Sequence, residues 1–217
     1  MIKYAIFDLD GTLLNTITTL TYYVNNVLRK RGIKEISEDE CKYFIGNGAR
    51  LLIKRTLDSR GVSDENTFSE VFSEFTEAYN KDTLYLTKAY DGIPELISQL
   101  RERKIRLAVL SNKPDDATKA IIPSFFGDSF ELVYGGRDGV ALKPMPDGFY
   151  QICKEFSASP DEVMYLGDSD VDMYTGKNAG AKITVGVAWG FRTREELIGA
   201  GADVIVESPD QIIKLLD

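Results

Sequence analysis

Asp8 and Asp10 stand one residue apart at the end of an apolar run, Met1–Phe7, and Gly11 follows at once. Asp168 and Asp172 follow a second such run, Val163–Leu166. Between the two pairs lie Ser111-Asn112, directly after Ile105–Leu110, and Lys143-Pro144. Carboxylates brought together repel one another unless a cation joins them. An all-oxygen donor set suits Mg²⁺, which keeps several waters and binds one or two carboxylates together with substrate phosphate. Lys143, the Ser111 hydroxyl and the backbone N–H groups around Gly11 and Thr12 are matching donors for a phosphate dianion. Attack by Asp8 on phosphorus would form an aspartyl phosphate and split a hydrolysis into two easier steps. Asp10 would protonate the leaving oxygen and then activate water.

The composition removes most competing chemistries. The chain of 217 residues has no histidine, which excludes Ser-His-Asp triads, Cys-His pairs and His-based zinc sites. Its two cysteines, Cys41 and Cys153, have no metal or redox spacing and read as buried free thiols in a reducing cytoplasm. With 26 basic and 34 acidic side chains the net charge is −8, which disfavours a nucleic-acid partner. No apolar run approaches a membrane span and nothing after Met1 reads as a signal peptide. A 43% hydrophobic content predicts a packed globule.

Two kinds of periodicity position the candidate residues. Leu20, Tyr23, Val24, Val27 and Leu28 fall on one helical face, and a break follows near Gly32. Ser37 and Glu40 have the spacing of a capping box that opens a second helix. Gly46-Asn47-Gly48 interrupts it, Ala49 to Leu57 restarts, and Phe68, Val71, Phe72, Phe75 and Tyr79 form a further stripe. Residues 15–85 therefore read as helices without a strand. Pro94 marks a helix start with Leu96, Ile97 and Leu100 on one face. Strands are expected at Ile105–Leu110, Glu131–Tyr134, Val163–Leu166, Ile183–Val187 and Val204–Val206. Helices fall between them near Phe149–Phe156 and Asp172–Ala179, and Ser208-Pro209 opens a last one. This alternation predicts an α/β fold, a Rossmann-like parallel sheet with helices on both faces. Residues 1–14 and 86–217 would form the sheet domain, and residues 15–85 an inserted helical lobe. Each candidate group then lies at a carboxyl strand end, where open α/β sheets bind ligands.

Taken in order, Asp8-Leu9-Asp10-Gly11-Thr12, Leu110-Ser111-Asn112, Lys143-Pro144 and Gly167-Asp168-Ser169-Asp170-Val171-Asp172 resemble the four motifs of the haloacid dehalogenase superfamily. The resemblance spans nearly the whole chain and is nearest to the phosphoglycolate-phosphatase-like hydrolases. It implies a helical cap, with Asp8 as nucleophile and Asp10 as acid and base. It further implies Mg²⁺ held by Asp8, the backbone carbonyl of Asp10, and Asp168, with Asp172 helping. Ser111 and Lys143 would hold the phosphoryl group, with Asn112 shaping the same loop. The implied substrate is a small phosphorylated metabolite, phosphoglycolate first. Pyrophosphatase or nucleotide phosphatase activity is the alternative within the fold. A mutase is disfavoured because the related mutases use a cap histidine, and a dehalogenase because those enzymes lack the second aspartate.

Singly, each motif has a plainer reading. Asp172 could be a helix N-cap, Ser111-Asn112 a turn, and Lys143-Pro144 a solvated loop; only their joint order favours chemistry. Gly46, Asn47, Gly48 and Arg50 could form a specificity loop whose arginine meets a second anionic group, or a tight turn followed by a solvated side chain. Trp189-Gly190-Phe191-Arg192 reads as packing rather than chemistry. A receiver-like phosphoacceptor is the non-enzymatic alternative, but its phosphorylated aspartate would lie on a later strand and it would lack the inserted lobe.

Overall fold

In the computed structural model, residues 1–216 are described. In chain order the elements are β1 (Tyr4–Phe7), β2 (Leu14–Asn15), α1 (Ile17–Arg29), α2 (Glu38–Phe44), α3 (Ala49–Asp58) and α4 (Glu65–Lys81). There follow β3 (Lys88–Ala89), α5 (Ile93–Glu102), β4 (Arg106–Pro114), α6 (Asp115–Phe126), β5 (Leu132–Gly136) and α7 (Asp147–Phe156). The chain ends with β6 (Val163–Gly167), α8 (Asp170–Ala179), β7 (Ile183–Val187), α9 (Arg194–Gly199), β8 (Val204–Val206) and α10 (Asp210–Ile213). The chain divides into two compact units, one of Met1–Asn15 with the chain from Ala89 onward, the other of Thr16–Lys88.

The first unit is built on a six-stranded parallel sheet in the order β5-β4-β1-β6-β7-β8. Its strands are buried on both faces, which explains their unbroken apolar runs. Along β1, Ala5 and Phe7 join one core with Leu96, Ile97, Ile121, Ile122 and Ile212. Tyr4 and Ile6 join the opposite core with Phe149, Ile152, Cys153 and Phe156. The two-residue period of the strand thus sends alternate side chains to helices on either side. From β1 the chain proceeds to β4 and β5 on one side of the sheet, then to β6, β7 and β8 on the other. The order reverses between β1 and β6, so the crevice at their carboxyl ends is the place such a sheet reserves for a ligand.

The structure departs from the sequence reading in several elements. β1 starts at Tyr4 rather than Met1, and two-residue strands occur at Leu14–Asn15 and Lys88–Ala89. β4 continues four residues beyond the expected Leu110, through Ser111 and Asn112 to Pro114. Its register against β5 shifts between Leu110 and Pro114, so the backbone stays extended where the ladder is irregular. That irregularity hides the continuation from an apolar pattern. Helix α6 also escapes the pattern, since Asp115, Asp116 and an internal Pro123 dilute its stripe.

The second unit is helical. In α1 the residues Leu20, Val24, Val27 and Leu28 are buried, and in α4 so are Phe68, Val71, Phe75 and Tyr79. Tyr79 stacks on Phe75 and meets Tyr23 edge-on. The capping box at the start of α2 is complete: Glu40 N–H donates to Ser37 Oγ, and Ser37 N–H donates to a Glu40 carboxylate oxygen. That carboxylate also accepts from Arg60 at 2.9 Å through each oxygen. Among the described residues no helix is long and apolar enough to cross a membrane.

Glu40 gives the first prediction. Hydrogen bonds from Arg60 and the Ser37 N–H hold its carboxyl at about 2, below the ordinary 4.5. A carboxyl held low stabilises the fold above its unfolded value, and the contribution fades as pH falls from about 4.5 through about 2. The side chain is 42% exposed, so solvent screening limits the effect. Glu40→Gln should cost about 0.5–1 kcal/mol at pH 7 and much less near pH 2, read by urea melts of both proteins at the two pH values.

Candidate active site

Asp8 is the first residue past β1 and Asp168 the first past β6, on either side of the reversal in strand order. Asp172 sits in the first turn of α8. Each of the three is buried and offers a carboxylate oxygen, and these oxygens lie within 4.8 Å of one another. Lys143, on the loop before α7, places its Nζ 2.7 Å from Asp8 Oδ1 and 2.7 Å from Asp172 Oδ1. The Lys143–Pro144 bond is cis. Asn112 clamps this lysine's backbone from both sides. Its Nδ2 donates to Lys143 O at 3.0 Å and its Oδ1 accepts from Lys143 N–H at 2.8 Å. Asn112 therefore acts on the lysine loop and not only on the end of its own strand. The Ser111 hydroxyl is buried and accepts from Lys113 N–H at 3.2 Å.

Asp172 shows how two roles share one side chain. Its Oδ2 accepts from Ser169 N–H at 3.1 Å and from the Ser169 hydroxyl, closing a capping box in which Ser169 is the N-cap. Its Oδ1 accepts from Lys143 and, at 3.2 Å, from Tyr165 OH. Cap and site are one arrangement here, because the helix terminus fixes the oxygen that meets the lysine.

Burial and mutual repulsion set the protonation of the cluster. Burial, then the charge of Asp172, pushes Asp8 up to about 7 against the pull of Lys143. Burial and the charges of Asp172 and Asp8 carry Asp168 well above the ordinary carboxyl range. Burial opposes the charge on Lys143, yet the Asp172 and Asp8 carboxylates outweigh it and raise the lysine. Burial also raises Tyr165, which keeps its proton and remains a donor. Fully ionised, three carboxylates and one ammonium would carry two net negative charges in a buried space, so a divalent cation with a preference for oxygen fits the set.

Three segments beside the cluster contribute more than their sequence suggests. Trp189-Gly190-Phe191 is not packing alone. Phe191 N–H donates to Asp168 Oδ2 at 2.8 Å, and Trp189 Nε1 donates to Thr12 O at 3.0 Å. Thr12 in turn donates its hydroxyl to Asp168 Oδ1 at 3.2 Å. Gly11 has φ +94, and a Cβ on it would lie 2.2 Å from Asp168 Oδ2. The Asp-Gly step is thus required twice, by backbone angle and by space. Lys113, absent from the sequence reading, is buried and ion-paired to Asp10 at 3.0 Å. Its signal was only its place beside Asn112, and a Lys-Pro pair after a strand reads as a solvated loop. Asp10 is therefore held by Lys113 while Asp8, Asp168 and Asp172 form the cluster.

The remaining candidates belong to the helical unit. Gly46, Asn47 and Gly48 join α2 to α3, with φ +108 at Gly46 and +87 at Gly48. Asn47 Oδ1 accepts from Arg55 at 2.8 Å. The Arg50 guanidinium is exposed and lies 4.6 Å over the Phe68 ring.

A family model described as haloacid dehalogenase-like hydrolase matches residues 5–186. The chain belongs to this family. The hydrolase is similar to phosphoglycolate phosphatase from Haemophilus influenzae, 30% identical over 216 residues that cover 97% of this chain and 96% of the relative. It is also similar to N-acetylmuramic acid 6-phosphate phosphatase from Pseudomonas aeruginosa, 28% identical over 226 residues, with 100% and 95% covered. A crystal structure from Lactobacillus delbrueckii subsp. bulgaricus, provisionally assigned as a phosphoglycolate phosphatase, matches with TM-score 0.93. Its identity is 29%, over 99% of this chain and 98% of that one. Family, fold and carboxylate centre together make this protein a phosphoric monoester hydrolase.

The geometry around Asp168 gives the second prediction. A Cβ on Gly190 would lie 2.2 Å from Asp168 Cβ, so Gly190→Ala must displace that carboxylate. Disturbing such a support should weaken divalent-metal affinity by about 10–100-fold. A metal titration followed calorimetrically, beside a thermal melt, checks this. Unchanged affinity would mean that the segment supports packing alone.

Proposed function

We propose that this hydrolase cleaves small phosphomonoesters with Mg²⁺, with phosphoglycolate the first substrate to test. The observation that carries the reading is the shared lysine. Lys143 bridges Asp8 and Asp172 at 2.7 Å each, at the reversal point of the sheet and beside three oxygens suited to a hard cation. Full-length likeness to phosphoglycolate phosphatases supports the substrate.

In the proposed mechanism Asp8, Asp168 and Asp172 would hold the metal, the first two more directly, with the Asp10 backbone carbonyl as a further ligand. When bound, Mg²⁺ would mask the charge of the incoming phosphate and favour the ionised form of Asp8. Lys143, the Ser111 hydroxyl and the backbone N–H groups of Gly11 and Thr12 would seat the phosphoryl oxygens. An oxygen of Asp8 forms a bond to phosphorus as the bond to the leaving oxygen breaks, and Asp10 delivers a proton to that oxygen. Asp10 then takes a proton from water as the water oxygen bonds to phosphorus. The Asp8–phosphorus link breaks, which restores both side chains and releases phosphate. Phosphoryl transfer of this kind depends on positioning and charge more than on new covalent chemistry.

Two outcomes are expected. Asp8→Asn should abolish turnover while leaving the fold intact, measured as phosphate release from a panel of phosphoglycolate, sugar phosphates, nucleotides and pyrophosphate beside a circular dichroism spectrum. Residual turnover above background in protein free of wild-type enzyme would refute the covalent route. Activity should also vanish in a chelator, return with Mg²⁺ and fail with Ca²⁺, which takes more oxygens at longer distance. Equal rates with the two ions would count against Mg²⁺ as the resident metal.

A further inference from the structure

Asp10 stands apart from the carboxylate cluster and is paired with a lysine of β4. It opens a tight turn in which Leu9 O accepts from the N–H groups of Thr12, Leu13 and Leu14, and Gly11 N–H donates to Leu14 O. Its side chain is 20% exposed, that of Lys113 only 3%. Lys113 Nζ lies 3.0 Å from one Asp10 oxygen and 3.4 Å from the other. The backbone of Lys113 is anchored on β4. Its N–H donates to Ser111 Oγ at 3.2 Å, and its carbonyl accepts from the Thr118 hydroxyl at 3.3 Å. Gly135 presses on the same carbonyl so closely that a Cβ there would come within 2.6 Å. A strand residue held at both ends of its peptide thus grips a carboxylate carried by a turn.

We propose that Lys113 is a positioning residue for Asp10, fixing its carboxyl where it can meet the leaving oxygen. The inference rests on the reading of Asp10 as acid and base. The Lys113 ammonium donates toward both Asp10 oxygens, at 3.0 and 3.4 Å, so a side chain fixed on β4 holds the carboxyl of the turn in one orientation. Proton delivery demands this accuracy, since displacing a reacting group by about 1 Å can cost 10²-fold. Asp10 moves only a proton while Asp8 makes the bond to phosphorus. Loss of Lys113 should therefore hurt most where the leaving group needs that proton.

The test compares kcat/KM for ethyl phosphate, phosphoglycolate and 2,4-dinitrophenyl phosphate, with Mg²⁺, in wild-type, Lys113→Met and Asp10→Asn proteins. This ratio reports steps up to cleavage of the ester bond, and dinitrophenolate departs without a proton. Lys113→Met should lower both alkyl values by about 100-fold and the dinitrophenyl value by about threefold or less. Lys113→Gln, of similar length, carries the same comparison if a thermal melt shows that Lys113→Met does not fold. Equal loss on all three substrates, or no loss, would overturn the proposal. A loss confined to phosphoglycolate would make Lys113 a reader of the substrate carboxylate and overturn it as well. Asp10→Asn separates the two layers. If it shows no leaving-group discrimination, the reading of Asp10 falls. If it discriminates and the Lys113 variants do not, only the role of Lys113 falls.

Discussion

Lys143 is the charge on which the centre depends. Buried carboxylates at Asp8, Asp168 and Asp172 could not stay ionised together without compensation, and the lysine meets two of them at 2.7 Å. Removing one partner from such a group leaves an uncompensated buried charge, typically worth several kcal/mol of instability. Much nearby structure serves to keep the lysine in place. Asn112 grips its backbone on both sides, and Tyr165 and the Ser169 capping box orient the carboxylate it meets. One consequence is that the site is costly without its ligands. A divalent cation would favour the ionised form of all three side chains, so stability and metal binding would be coupled at this centre.

Asp168 is governed by a different constraint, which is space. Gly11 and Gly190 would each place a Cβ 2.2 Å from this side chain. Thr12 and the Phe191 N–H then occupy its two oxygens at 3.2 and 2.8 Å. The carboxylate is thereby enclosed by the turn after β1 and the turn after β7, two segments some 180 residues apart in sequence that the parallel sheet brings together. A strand order that reverses between β1 and β6 creates the crevice, and the small residues around it let backbone approach the charged group.

Much of this molecule was legible before any coordinates. The absence of histidine excluded whole classes of catalyst, and the period of the apolar residues separated a helical stretch from an alternating one. The capping box at Ser37–Glu40 was readable because it is a local, four-residue pattern. Motif order brought Asp8, Ser111, Asn112, Lys143, Asp168 and Asp172 forward as candidates, and all of them belong to the sheet unit. The continuation of β4 through Ser111 and Asn112 was not legible, because polar residues beside an irregular ladder look like a loop. Helix α6 was missed for a related reason, its apolar stripe being diluted by two aspartates and a proline.

By itself the sequence determined the local alternatives: where the chain can be strand or helix, which side chains can carry charge, and where only glycine follows an aspartate. Those are properties of residues within a few positions of one another. Tertiary structure alone decided which charges meet. Lys113 reaches Asp10 across 103 positions, and Lys143 reaches Asp172 across 29. The Phe191 amide reaches Asp168 across 23. Such pairings follow from strand order and from burial, which makes an unpaired charge too expensive to keep. A lysine beside a proline reads as solvated until the sheet closes water out around it, and that closure is a property of the folded chain as a whole.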